Sequence, residues 1–158
     1  SSNLKLASGI ADLCGLLEKN ITVALGTEGA ASNNALDMFR EMYLASVLQK
    51  VTKQDAAAMN ADDVLHMATV GGALTMGLED CDVLAEGKCA DLIMIDMHRP
   101  NMQPENNLTK NLVYSGSKEN IKLTMINGEI LYEDGSFEIG EDVEQIYSDA
   151  NQIIERMR

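Results

Sequence analysis

Ile21-Thr22-Val23-Ala24-Leu25-Gly26-Thr27-Glu28-Gly29-Ala30-Ala31-Ser32-Asn33-Asn34 carries the decisive pattern of this chain. A compact apolar run rich in β-branched residues stops at a Gly-Thr-Glu-Gly loop, which predicts a buried strand over 21–25. Asn33 or Asn34 is placed to cap a helix, since a short polar side chain accepts from the free N–H groups of a first turn. Leu36, Phe39, Tyr43, Leu44, Val47, Leu48 and Val51 then repeat with the 3.6 period of one helix face. Strand, glycine loop and helix make one βα unit.

Upstream, Leu13, Leu16 and Leu17 predict a short helix over Ala11 to Glu18 that ends at Asn20, a residue tolerant of the left-handed conformation. Downstream, Asn60 and Asp63 resemble a capping box, and Val64, Leu65, Ala68, Gly72 and Met76 form the stripe of one long helix ending at Gly77. Gly71 and Gly72 within it cost about 1 kcal/mol each relative to alanine, so a close backbone approach is the expected compensation. From Gly87 the texture changes. Asp91 to Asp96 reads as a strand, Pro100 and Pro104 bracket a loop, and Ile121, Leu123 and Met125 alternate with polar neighbours up to Asn127-Gly128. Asn-Gly between such runs is a strong hairpin signal, with Ile130 to Tyr132 as the return strand. After Asp134-Gly135, residues from Val143 to Met157 describe an amphipathic helix. The expected division is an α/β part over 1–78, a β-rich part over 79–135 and a final helix over 136–158.

The 158 residues suit one ordinary domain, at roughly 150 residues each. With 46% apolar and 23% charged residues the chain can build a core. Its net charge of −13 repels phosphate backbones and anionic lipid, so nucleic acid and membrane surfaces are excluded as expected partners. Only His66 and His98 are present as histidines, and Cys14, Cys81 and Cys89 form no C-x-x-C pair, so a self-contained zinc site is not expected. Scattered cysteines argue for a reducing compartment. No apolar run approaches the ~18 residues of a membrane span, and Ser1 to Gly9 has no leader-like pattern. The expectation is a cytoplasmic protein.

In parallel α/β architectures, functional side chains follow the carboxyl ends of strands. Glu28 occupies that place, with a small-residue loop beside it that leaves room for a ligand. The competing reading is that Glu28 favours the positive N-terminus of the next helix. Ser32, Asn33 and Asn34 read as caps and loop hydrogen-bonders rather than catalysts. His66 reads as a helix residue and His98 as a loop residue, neither in a ligand-like motif.

Ser2 to Gly9, Ala24 to Asn34, Met67-Ala68-Thr69 with Gly72-Ala73, Glu86 to Ile93, Met102-Gln103-Pro104, Leu112-Val113-Tyr114 and Asn127-Gly128 together resemble the C-terminal part of amidohydrolase-superfamily aminohydrolases. Among these the similarity is greatest to the 5-methylthioadenosine/S-adenosylhomocysteine deaminases. The resemblance implies the C-terminal fragment of a metal-dependent (β/α)8 barrel, the C-terminal share of a small β-sandwich, and a final helix. It implies a hydrolase that deaminates an adenine-type ring in S-adenosylhomocysteine, 5-methylthioadenosine or adenosine, by attack of a metal-activated water. It places a divalent metal, zinc, in the full-length enzyme, and puts the histidine ligands and the acid/base glutamate upstream of this chain. The isolated chain is therefore expected to be inactive, to bind no metal by itself, and to associate with itself. Glu28 stands where the family carries an aspartate, the metal-proximal carboxylate that takes a proton from the attacking water. Glu28 is thus the catalytic and metal-ligating candidate, with one methylene more than the family residue. Chlorohydrolase-like or guanine-deaminase-like chemistry on the same fold is the alternative, and a catalytically silent interaction domain is the alternative of another class.

Overall fold

The computed structural model describes residues 2–157. Its elements are α1 (Ser2–Lys5), α2 (Leu13–Glu18), α3 (Met38–Lys53), α4 (Ala61–Ala68), α5 (Val70–Met76), β1 (Leu92–Ile95), α6 (Leu108–Ser115), β2 (Ile121–Ile126), β3 (Glu129–Glu133), β4 (Ser136–Phe137) and α7 (Val143–Arg156). The architecture is α/β, with a helical layer and a separate antiparallel sheet.

The helical layer is built on α3. Asp37 caps it, its side chain accepting from the N–H groups of Phe39 and Arg40. Phe39, Met42 and Ala45 of α3 meet Val64 and Met67 of α4 and Val113 of α6 in one buried cluster. The expected cap at Asn33 or Asn34 is corrected to Asp37, because Asn33 is committed elsewhere. The expected stripe also shifts: Tyr43 and Val51 are 45% and 72% exposed, while Glu41, Ser46 and Gln49 are buried. Each buried polar side chain finds a partner, as low-dielectric surroundings demand. Ser46 Oγ donates to the Met59 carbonyl at 3.0 Å and lies 2.9 Å from the Tyr114 hydroxyl, tying α3 to α6.

Ile21 to Leu25 is not a strand. A strand exists only where a neighbour completes its ladder, and among the described residues none lies beside this segment; it runs extended and docks on α4 through Leu25 N–H to Met67 O at 3.1 Å. The single helix expected from Asn60 to Gly77 is likewise two helices, broken at Thr69 (φ −120, ψ −89). The break lets Gly71 pass against the Val23 carbonyl oxygen, so closely that a Cβ there would overlap it. That contact is the close backbone approach the glycines implied. Asn60 caps α4 through Asp63 N–H as expected, and Gly77 ends α5 at φ +72. The helix α6 was not anticipated: with only eight residues its period is too short to stand out beside the two prolines.

The sheet has the order β1-β2-β3-β4, antiparallel throughout. Asn127 (φ +50) and Gly128 (φ +81) make the expected two-residue hairpin turn. Asp134 and Gly135 make a second, which adds the short β4 and places Tyr132 against Phe137 with ring centroids 5.1 Å apart. The free edge of β1 carries Ile93 and Met94, both exposed. The buried Asn120 joins β1 to the loop before β2: it exchanges side-chain hydrogen bonds with Asn101 and accepts from Ser117 N–H at 2.9 Å, while its carbonyl accepts from Asp96 N–H at 2.7 Å. On α7 the apolar residues Ile146, Tyr147, Ile153 and Ile154 are exposed, and none of the helix is buried.

Candidate active site

Glu28 closes the extended segment in the left-handed region, at φ +59, a conformation uncommon for a residue with a Cβ and held here by its surroundings. Its carboxylate accepts from Ser32 Oγ at 2.8 Å, and its carbonyl accepts from Thr27 Oγ1 at 3.0 Å. The loop beyond it folds into a tight turn, Ser32 and Asn33 N–H both returning to Gly29 O. Lys5 reaches over from α1 to the Ser32 carbonyl at 3.2 Å and Asn34 Oδ1 at 2.5 Å.

Below this turn lies Asn33, 4% exposed. Its Nδ2 donates to Thr27 O at 2.6 Å and to Glu41 Oε1 at 3.0 Å, and its Oδ1 accepts from Ala35 N–H at 3.0 Å. One amide thus bonds the residue before Glu28, the chain after it and the first turn of α3. These three bonds tie the loop to the buried Glu41 at the start of α3. A cavity of about 190 Å³ opens beside Glu28, floored by Leu44, Ala45 and Leu48 of α3 and walled by Gly9, Ile10, Ala11 and Leu13. Gln49 fixes that wall, its Nε2 donating to Ala11 O at 2.8 Å and its Oε1 accepting from Cys14 N–H at 3.4 Å.

Of the residues read from the sequence, the structure brings Glu28, Ser32, Asn33 and Asn34 together. His66 lies exposed on α4, and His98 lies exposed in the loop after β1, its N–H donating to Asp96 Oδ1 at 2.9 Å. Glu41 and Gln49 were missed. Their signal was a pair of polar residues each four places from Ala45, on the side of the helix that is buried with Met42 and Ala45.

A carboxylate is an acceptable zinc donor, but zinc takes three or four protein donors. Among the described residues no group of three or more His, Cys, Asp or Glu side chains is arranged to hold a metal ion. The described residues therefore do not make a metal centre by themselves, and Glu28 presents an exposed carboxylate beside the cavity.

The profile of the amidohydrolase family matches residues 1–131, more than four-fifths of the chain. The chain belongs to the amidohydrolase family. The similarity read from its motifs is thereby borne out. Within the family it is 50% identical over 137 residues to a 5-methylthioadenosine/S-adenosylhomocysteine deaminase of Desulfovibrio desulfuricans, covering 87% of this chain and 31% of that protein. It is 45% identical over 142 residues to a 5'-deoxyadenosine deaminase of Methanothermobacter thermautotrophicus, covering 90% of this chain and 33% of that protein. Among solved structures, a zinc-bound adenosine deaminase of Xanthomonas campestris superposes with a TM-score of 0.94 at 35% identity, over 99% of this chain and 36% of that one. The chain spans about a third of the length of the relatives it matches. No helix among the described residues is long and apolar enough to cross a membrane.

Proposed function

We propose that this chain supplies the last third of a hydrolase that removes the amino group from an adenine-type ring in a nucleoside or thioether nucleoside. The support is the relatives that are 45% and 50% identical, both named as deaminases of such molecules. The single observation that carries the chemistry is Glu28, held at φ +59 with its carboxylate at the mouth of a cavity and steadied by Ser32. In this reading residues 1–78 form the end of a (β/α)8 barrel, 79–135 a share of a β-sandwich with a segment returning to the barrel, and 136–158 the closing helix. The extended segment 21–25 then becomes a barrel strand once its neighbours are present.

Glu28 takes the proton of the attacking water and carries it toward the leaving ammonia. A divalent metal, zinc in this reading, would supply water activation in the whole enzyme, through donors outside these residues together with Glu28. Asn33 and Glu41 keep the loop in place, and the cavity walled by Gly9, Ile10, Ala11 and Leu13 lies where substrate would enter.

The test is ammonia release from S-adenosylhomocysteine, 5-methylthioadenosine and adenosine by the intact enzyme. Glu28→Gln is expected to lower turnover about 10²-fold or more, the scale of a lost general base, and Glu28→Asp to retain it. Full turnover in the Gln variant removes Glu28 from the mechanism. The chain alone is expected to release no ammonia and to carry no stoichiometric zinc; chelator-sensitive deamination by it would overturn the placement of the other donors.

A further inference from the structure

A second cluster of reactive side chains lies between α5 and β1, away from Glu28. After α5 the chain makes a 3₁₀ turn over Glu79–Cys81, loops out through residues 82–88 and returns. Cys89 N–H donates to Asp80 O at 2.8 Å, and Lys88 Nζ pairs with Asp82 Oδ1 at 2.8 Å while donating to Glu79 O at 2.5 Å. These contacts clamp the two ends of the loop, so Cys81 and Cys89 stand side by side although seven residues separate them. The Asp91 carboxylate and the Cys89 thiol are the polar neighbours that act on the Cys81 thiol. Asp91 is itself fixed, its Oδ1 accepting from Asn127 N–H in the β2–β3 turn at 2.6 Å. Both cysteines are free and half-buried. Cys14, the third, sits on α2 against the helical core.

We propose that Cys81 and Cys89 are a redox-active dithiol, which closes to an intramolecular disulfide in exchange with an external disulfide such as oxidised glutathione. The Cys89 thiolate attacks one glutathione sulfur, the glutathione S–S bond breaks, and one glutathione thiolate leaves. Cys81 then gives up its proton to water beside Asp91 and attacks Cys89 Sγ, expelling the second glutathione. Two protein thiols are oxidised and one oxidised glutathione is reduced to two thiols. The order follows from the surroundings: the Asp91 carboxylate, burial and the neighbouring Cys89 hold the Cys81 thiol up to about 12. A thiol that stays protonated at neutral pH is a poor first nucleophile and a competent resolving group once the mixed disulfide is beside it. Closure pins the loop 82–88 and removes the thiol proton beside Asp91, the carboxylate that anchors the hairpin turn.

The full chain is incubated with oxidised glutathione, alkylated, and digested with trypsin without reductant. Cleavage after Lys88 puts the two cysteines in different peptides. The expected product is that peptide pair joined, lighter by two hydrogens than the two reduced peptides and separated by dithiothreitol, with Cys14 still alkylated. Cys81→Ser is expected to trap glutathione on Cys89, and Cys89→Ser to abolish the cross-link. The proposal is overturned if both peptides of the unmodified chain are recovered alkylated, if glutathione persists on its Cys89, or if the cross-link runs through Cys14. The mapping of the unmodified chain decides the matter even where a variant fails to fold.

Discussion

Alanine at position 71 should damage the fold, while alanine at position 72 should not. A Cβ on Gly71 would overlap the Val23 carbonyl oxygen and lie 3.3 Å from the His66 carbonyl oxygen. Both obstacles are backbone atoms, so the clash is relieved only by moving the segment 21–25 or α5. Overpacking of this kind costs ~1–3 kcal/mol. Alanine returns up to ~1 kcal/mol of helix propensity over glycine, and less than that in the first turn of a helix, leaving a net loss of about 1–2 kcal/mol. At Gly72 the nearest atom to a new Cβ is Met67 O at 3.9 Å, an ordinary contact. There the propensity gain, up to about 0.5 kcal/mol in this first turn, stands unopposed. The two variants differ by one methyl on neighbouring residues, yet should differ by about 2 kcal/mol in stability. Urea unfolding followed by far-ultraviolet circular dichroism measures this, with the slope unchanged between variants so that the midpoints carry the difference. Equal midpoints, or a more stable Gly71→Ala, would refute the contact with Val23. The consequence reaches the site, because Val23 lies on the segment that ends at Glu28 and a forced shift there moves the loop.

Asn33→Ala should cost about 1–3 kcal/mol, since it removes the buried amide's hydrogen bonds to Thr27 O and Glu41; thermal melting measures the loss, and limited proteolysis should cut first near residues 27–35. Asp91, Asp96 and Asp82 are held below the ordinary value near 3.8, chiefly by Asn127 N–H, His98 N–H and Lys88 in turn. The folded state then binds fewer protons than the unfolded one, so their stabilisation is present above that value and is lost as pH falls through the folded values. Cys81 acts with the opposite sign: its folded value near 12 exceeds the ordinary 9.0, so stability is retained below 9.0 and falls as pH rises between the two. Melting temperatures across acid and alkaline series check both, and Asp91→Asn should flatten both limbs. The chain alone should self-associate, because Ile146, Ile153 and Ile154 of α7 and the free edge of β1 are exposed; sedimentation velocity at micromolar concentration showing only monomer would refute this.

Features that depend on a few adjacent residues were legible in the sequence. The Asn127-Gly128 turn needs left-handed backbone at both positions, which asparagine and glycine accept at little cost. The Asn60 cap, the Gly77 stop and the amphipathic period of α7 are equally local. So was the place of Glu28 at the end of an apolar run, and the ordered motifs were enough to point to the family. What the tertiary structure decided is where competing local preferences are resolved. Asn33 and Asp37 are both good caps, and Asn33 loses that role because its amide satisfies Thr27 and the buried Glu41. The run from Asn60 to Gly77 has one helical period, yet it breaks at Thr69 because only a turned α5 admits Gly71 against Val23. Ile21 to Leu25 has the composition of a strand, but a ladder needs a second chain segment, and composition says nothing of which neighbours stand beside it. The pairing of Cys81 with Cys89 was invisible for the same reason, since it follows from the clamp of Asp80, Asp82 and Lys88 on a folded loop and not from any spacing motif.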